Sequence, residues 1–220
     1  VLQSIIIKLI SIPFIFACLT VHECAHGYVA YLLGDNTAKE SGRLTLNPLA
    51  HIDWLGAAAM LLVGFGWAKP VPVNPYRFKK GGAKGIVWVS LAGPVSNLIF
   101  AFIIVFVYGI LFYTVPAIHM GIGSHWGMYV RLIAQSWASL NVGLAVFNLV
   151  PIPPLDGSKV LMYFLPYNAS AWMEQNQNTL YLGLMLLTFA GFLNKIITPV
   201  IGYTLNLIYQ GADLLLFFVK

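Results

Sequence analysis

Apolar stretches as long as a bilayer is thick recur along this chain, and they limit its fold more than any other feature. A helix needs about 20 largely apolar residues to cross a hydrocarbon core of about 30 Å. Leu2 to Leu33, Ile86 to Val115 and Tyr129 to Val150 reach that length, and Thr179 to Leu193 and Ile196 to Val219 read as full or partial spans. A soluble fold would need a polar exterior, and seven acidic plus twelve basic side chains among 220 residues cannot cover one. The mean hydropathy of +0.81 says the same. The expected architecture is an all-α polytopic membrane protein of about six hydrophobic segments, forming a single domain over residues 1–220 and bathed by the lipid bilayer.

Two stretches interrupt this pattern. Trp54 to Ala68 is apolar but too short for a normal span; Gly56, Gly64 and Gly66 break it, and Pro70, Pro72 and Pro75 come after it. That density of glycine and proline predicts a strand-like re-entrant hairpin near residues 60–73, which a membrane tolerates only where protein or a cavity satisfies the backbone. The second interruption is the polar, proline-rich bend Pro151 to Gly157, ahead of the apolar run Ser158 to Leu165. Both breaks are expected to face a functional cavity. The first segment carries Pro13 and ends at Gly34-Asp35-Asn36, a helix stop. It leads into charged residues rather than a small-residue cleavage site, which argues against a removable signal peptide.

The formal charge of +5 is not spread evenly. Lys39, Arg43, Lys69, Arg77, Lys79, Lys80 and Lys84 all fall between Asn36 and Gly85. By the positive-inside rule that stretch is cytoplasmic, so the charge sets topology and implies no nucleic-acid partner. Cys18 and Cys24 lie about 9 Å apart along one helix and on different faces, so they cannot pair.

His22-Glu23-Cys24-Ala25-His26 sits in the first segment. Two histidines four apart on a helix lie about 40° apart around the axis and one turn along it, so both can reach one metal ion. Zinc with three protein ligands keeps a fourth position for water, and a neighbouring carboxylate, Glu23, can take that water's proton. Ionisable residues in an apolar helix are costly in lipid and normally line a functional cavity. The candidates for a third ligand are Asp156, His51, Asp53, Asp35 and Glu40, with His119 and His125 in a loop expected on the opposite side of the membrane. Asp156 is favoured, because the bend Pro151 to Gly157 can aim its carboxylate inward on the same side as the histidine pair.

His22-Glu23-x-x-His26, the later Asn148-x-x-Pro151-x-x-x-Leu155-Asp156-Gly157 and the intervening Gly93-Pro94-Val95-Ser96-Asn97 together resemble the site-2 protease family. Gly42-Arg43-Leu44-Thr45-Leu46-Asn47-Pro48 with His51 and Asp53 is similar to its compact bacterial branch. The chain leaves no room for a PDZ module between its core helices and shows no nucleotide-sensing module after Asp156. The resemblance implies a zinc-dependent endopeptidase that cleaves transmembrane protein substrates inside a prokaryotic cell membrane, with its active site near the cytoplasmic side. It implies one Zn2+ per chain on His22, His26 and Asp156, with Glu23 as general base. It further suggests that Asn97 and Asn148 hold substrate backbone or the oxyanion, for which a fixed amide donor is suited. The loop from Gly64 through Phe65 and Gly66 to Val73 resembles the family's membrane-associated strand region, whose edge would pair with unwound substrate. His51 and Asp53 are candidates for orienting the metal ligands from behind. The competing readings are a zinc-dependent membrane hydrolase of a lipid and a non-enzymatic metal-binding or transport protein.

Overall fold

The computed structural model describes residues 2–63, 66–115 and 126–218. Its regular structure among these residues is helical throughout: α1 Leu2–Leu32, α2 Thr37–Glu40, α3 Trp54–Val63, α4 Lys84–Thr114, α5 Trp126–Asn148, α6 Asp156–Phe164, α7 Tyr167–Gln175, α8 Gln177–Phe189 and α9 Phe192–Leu215, with short 3-10 turns at Pro48–Ala50, Pro75–Arg77 and Leu216–Phe218. Among the described residues, two helices are long and apolar enough to cross a membrane, Lys84–Thr114 and Gly127–Asn148; the pair α8 and α9, bent by 76°, makes a third if it counts as one span.

The chain divides into two compact units, Val1–Ser96 with Asn148–Leu184 and Asn97–Phe147 with Met185–Lys220. In the second unit, Ala101, Ile104 and Val105 of α4, Ala138 and Val142 of α5 and Ala212 of α9 form a buried core. Alanine at three of these positions lets helices approach closely, which is how membrane helices gain packing energy when lipid is as apolar as the side chains. The fully buried Asn97 amide donates to Asn141 Oδ1 at 2.8 Å, and Asn141 Nδ2 donates to the Trp137 carbonyl at 3.0 Å.

In the first unit, α1 stops where the sequence predicts. The Asp35 N–H reaches back to the Ala30 carbonyl and the Gly34 N–H to that of Tyr31, both at 3.0 Å, with Gly34 at φ +107. That is a Schellman end, and a side chain at residue 34 would strain it. It places Asp35 where two later segments of chain can bond to it. The fully buried Asp35 carboxylate accepts from the Thr37 N–H at 3.0 Å and hydroxyl at 2.5 Å through Oδ1, and from the Asn74 N–H at 2.6 Å through Oδ2. The Lys79 N–H donates to the Leu33 carbonyl at 2.8 Å, so the loop before α4 is tied to the end of α1.

The region expected to be a strand-like hairpin is built differently among the described residues. Residues 54–63 form helix α3, which at about 1.5 Å per residue spans only about half a hydrocarbon core. Asp53 caps it by accepting from the Gly56 N–H at 2.8 Å. Residues 66–74 are non-helical but pair with no strand; the Lys69 N–H and carbonyl, the Val71 N–H and the Asn74 N–H bond instead to the His51 carbonyl and the side chains of Arg43, Glu23 and Asp35. Gly64 and Phe65, like His119 and His125, lie outside the described residues.

Burial pushes the Asp35 carboxyl up, but the Thr37 hydroxyl and the Asn74 and Thr37 N–H groups outweigh it, with Arg77 adding, and hold it below its ordinary value. A group depressed on folding stabilises above its unfolded value of about 3.9, and that contribution fades as pH falls through the lower folded value. Asp35→Ala is expected to lower stability at pH 7 by about 1–3 kcal/mol, with the gap to wild type closing below about pH 4. Thermal unfolding in detergent at both pH values checks it.

Candidate metal centre

His22 and His26 stand one turn apart on α1, with ring centroids 4.7 Å apart and planes at 85°. Both are buried. The Nε2 atoms of both lie 3.1 Å from Asp156 Oδ2, and ligand atoms of the three residues lie within 4.8 Å of one another. Among the sequence candidates for a third ligand, the structure brings Asp156 to the histidines. Asp35 and Asp53 are taken up by backbone N–H groups, and Glu40 accepts from Arg77 Nη1 at 2.7 Å.

The backbone makes this convergence possible through two glycines. Asp156 opens α6, and Leu155 before it is extended, at φ −68 and ψ 155, so the chain turns sharply out of the Pro151–Pro154 bend. Gly157 packs against the carbonyls of Leu149 and Val150, where any Cβ would collide. At the other side of the site, a Cβ on Gly93 would lie 2.5 Å from His26 Nε2 and 2.6 Å from His22 Nε2. Glycine there leaves open the space between the two ring nitrogens. Both residues belong to the recognisable sequence motifs, but their steric roles depend on contacts across the fold that spacing does not reveal.

The hydrogen bonds fix the chemistry of the donor set. His26 Nδ1 donates to the Val89 carbonyl at 2.6 Å, and since a carbonyl only accepts, Nδ1 carries the proton. In the neutral ring, Nε2 then presents a lone pair to a carboxylate oxygen 3.1 Å away. Two lone pairs at that separation require a cation between them, a proton or a metal ion. Ligands about 2.0–2.2 Å from a tetrahedral zinc would stand roughly 3.4 Å from each other, close to the two distances observed. The residues present therefore fit zinc: two imidazole nitrogens and a carboxylate oxygen, with the histidine tautomer set from behind by a main-chain carbonyl. Asp156 Oδ1 lies 3.6 Å from Lys159 Nζ, within ion-pair reach.

Glu23, half-buried beside the histidines, accepts a hydrogen bond from the Val71 N–H through Oε2 at 2.8 Å. The other expected site residues are more dispersed in role. Asn97 is fully buried and its amide donates to Asn141. Asn148 is the last residue of α5, half-buried, and Gly66 begins the non-helical stretch. His51 is buried, its Nε2 donating to the Thr45 carbonyl at 2.8 Å, and Asp53 caps α3.

The family model described as Peptidase family M50 matches residues 10–192, a span that contains all of these residues. The chain belongs to peptidase family M50. It is thus a metalloprotease of the site-2 protease family, as the motifs implied. It is 41% identical over 198 residues to YwhC of Bacillus subtilis (strain 168), whose name proposes a zinc metalloprotease; the match covers 90% of this chain and 84% of YwhC. It is also 29% identical over 150 residues to Rip2 of Mycolicibacterium smegmatis, covering 63% of this chain and 51% of Rip2, and 30% identical over 147 residues to Rip2 of Mycobacterium tuberculosis (strain ATCC 25618 / H37Rv), covering 65% and 52%. Those names too propose zinc metalloproteases, and the chain spans about half the length of each Rip2. No solved structure matches the chain at a significant level.

The Gly93 contacts predict that Gly93→Ala, which adds one methyl between the two ring nitrogens, weakens zinc binding at least tenfold, the lower end of the loss expected when a metal site's supporting shell is disturbed by about 10–100-fold. Zinc titration of the purified, folded variant against a fluorescent chelator measures it. Wild-type affinity would show that the space is not where the ion sits.

Proposed function

We propose that this chain is a zinc-dependent intramembrane endopeptidase that cleaves transmembrane segments of membrane-protein substrates. The observation that carries the reading is the convergence of His22, His26 and Asp156 in a buried cluster with Glu23 next to it on the same helix. The family match and the names of the relatives support the same chemistry.

Zinc bound by the three side chains would lower the pKa of water towards about 7 and polarise a substrate carbonyl. His22, His26 and Asp156 bind and orient it, one ion per chain. Glu23 takes the proton from the attacking water and returns it to the leaving amine, since a carboxylate can serve as base and then acid in one cycle. One Glu23 oxygen is engaged by the Val71 N–H, which fixes the carboxylate's orientation. Asn148 is the amide donor proposed for substrate backbone or the oxyanion; Asn97, fully buried with its amide donating to Asn141, is left the interhelical role. The stretch from Gly66 to Val73, non-helical and without a partner strand, supplies a backbone edge on which an unwound substrate segment can be held. The Gly64-Phe65 pair is proposed to extend that edge, and His51 and Asp53 to brace the loop that carries it.

The membrane setting is supported by the apolar helices, and we take the site to lie near the cytoplasmic face of a prokaryotic cell membrane, a reading that the cation-rich stretch between α1 and α4 supports for its sidedness. The family match runs through both compact units, in keeping with residues 1–220 working as one catalytic domain whose hydrophobic segments, about six in the sequence, lie in the bilayer.

Glu23→Gln is expected to retain zinc and lose cleavage of a reconstituted transmembrane substrate by about 10²–10⁴-fold. His22→Ala and Asp156→Ala are expected to lose zinc as well. Metal analysis and mass spectrometry of the products read both. Cleavage by Glu23→Gln at the wild-type rate would sink the mechanism. Turnover of lipid without peptide-bond cleavage would favour a lipid hydrolase, and zinc flux into proteoliposomes without either activity would favour a transporter.

A further inference from the structure

The described stretch 66–74 is short, has no partner strand and still runs past the candidate catalytic carboxylate, so the contacts that hold it in place matter. The Lys69 N–H donates to the His51 carbonyl at 2.9 Å, and the Lys69 carbonyl accepts from Arg43 Nη2 at 2.6 Å. Two residues on, the Val71 N–H donates to Glu23. Lys69 and Val71, two residues apart, thus both spend backbone groups on Arg43, His51 and Glu23. The Val71 side chain is buried over Gly27, where an added Cβ would meet Val71 Cγ1 at 3.1 Å and Ala38 Cβ at 3.2 Å. Gly27 lies one turn beyond Glu23 on α1, on the same face.

Arg43 is the unusual member of this arrangement. It is only 8% exposed, makes no ion pair among the described residues, and its Nε has no hydrogen-bond partner. A buried guanidinium without a carboxylate is costly, and its close contact is with a main-chain carbonyl of the stretch that reaches Glu23. Its own backbone is set by a Schellman end at α2: the Arg43 N–H bonds to the Ala38 carbonyl at 2.8 Å and the Gly42 N–H to that of Lys39 at 3.0 Å, with Gly42 at φ +65.

We propose that residues 69–71 form a positioning strap for Glu23, clamped by Arg43 at the Lys69 carbonyl and seated on Gly27, so that the Val71 N–H holds one carboxylate oxygen and leaves the other to act on water. Arg43 and Val71 are positioning residues, acting on the reaction through Glu23. The proposal rests on Glu23 as the general base. The strap itself can be tested without any cleavage assay.

Pro70 and Pro72 carry no amide proton, so Val71 is isolated in an amide-resolved hydrogen-exchange experiment on the full chain in detergent. Glu23→Ala and Arg43→Met are each expected to speed exchange at Val71 at least tenfold, through loss of the bond and of the clamp respectively. Unchanged Val71 exchange in both variants overturns the strap. On a reconstituted substrate, Arg43→Met is expected to lower kcat about 100-fold, the scale of a small misplacement near the chemistry, with KM and bound zinc unchanged. Arg43→Lys, which keeps a donor for the Lys69 carbonyl, is expected to restore most of the kcat. A change confined to KM, loss of zinc, or failure of the lysine variant to rescue a folded protein overturns the positioning role. Faster Val71 exchange in the two variants, together with a wild-type chain that cleaves no peptide, would leave the strap standing and remove the protease reading instead.

Discussion

The meeting of His26 Nε2 with the Asp156 carboxylate is the constraint on which the site depends. The Val89 carbonyl claims the proton on Nδ1, so the facing nitrogen has only a lone pair to offer, and it is buried. Buried acceptors facing each other without a cation cost on the order of several kcal/mol. A cation removes that cost. A proton on Nε2 would serve this one pair; a divalent ion serves both imidazoles and the carboxylate at once.

The surrounding backbone reads as a response to that requirement. Two glycines stand where donor atoms or main chain come too close for a side chain, Gly93 at the ring nitrogens and Gly157 under the carbonyls before Asp156, and a third, Gly27, gives Val71 and Ala38 room to pack closely. The carboxylates Asp35 and Glu23 then each take an N–H from the loop between α3 and α4, at Asn74 and Val71. Both N–H groups are met by a carboxylate, buried at Asp35 and half-buried at Glu23, with the stronger, charge-assisted kind of bond.

These relations divide cleanly between those that local sequence carries and those that it does not. The histidine pair is legible because helix geometry alone puts residues four apart on one face, and the ends of α1 and α6 because Gly34 and the proline run Pro151 to Pro154 punctuate the chain. The choice of Asp156 over Asp35, Asp53 and Glu40 comes from topology, and the structure gives those three to other partners. The stretch beyond Gly66 reads as part of a hairpin because glycine and proline density marks an irregular backbone without saying which groups satisfy it. Its partners, Glu23, Arg43, Asp35 and the His51 carbonyl, are far away in sequence, beyond any periodicity. About six hydrophobic segments are legible in the sequence, whereas two or three among the described residues pass as full spans, because an apolar run such as Thr179–Leu193 reads alike whether it crosses a bilayer alone or as half of a bent pair.

The same physics explains why so much of the machinery lies in irregular chain. A substrate helix hides its peptide bonds in its own hydrogen bonds, so an enzyme acting on one needs backbone of its own that is not already paired. Regular helices cannot offer this, since their N–H and C=O groups are consumed internally. The stretch from Gly66 to Val73 is such irregular chain, and the groups of it that are bonded, the Lys69 N–H and carbonyl and the Val71 N–H, go to His51, Arg43 and Glu23 rather than to a neighbouring strand among the described residues. Its position is therefore set by a few bonds to side chains and one carbonyl, and the same run of residues that these bonds fix is the one that meets the Glu23 carboxylate.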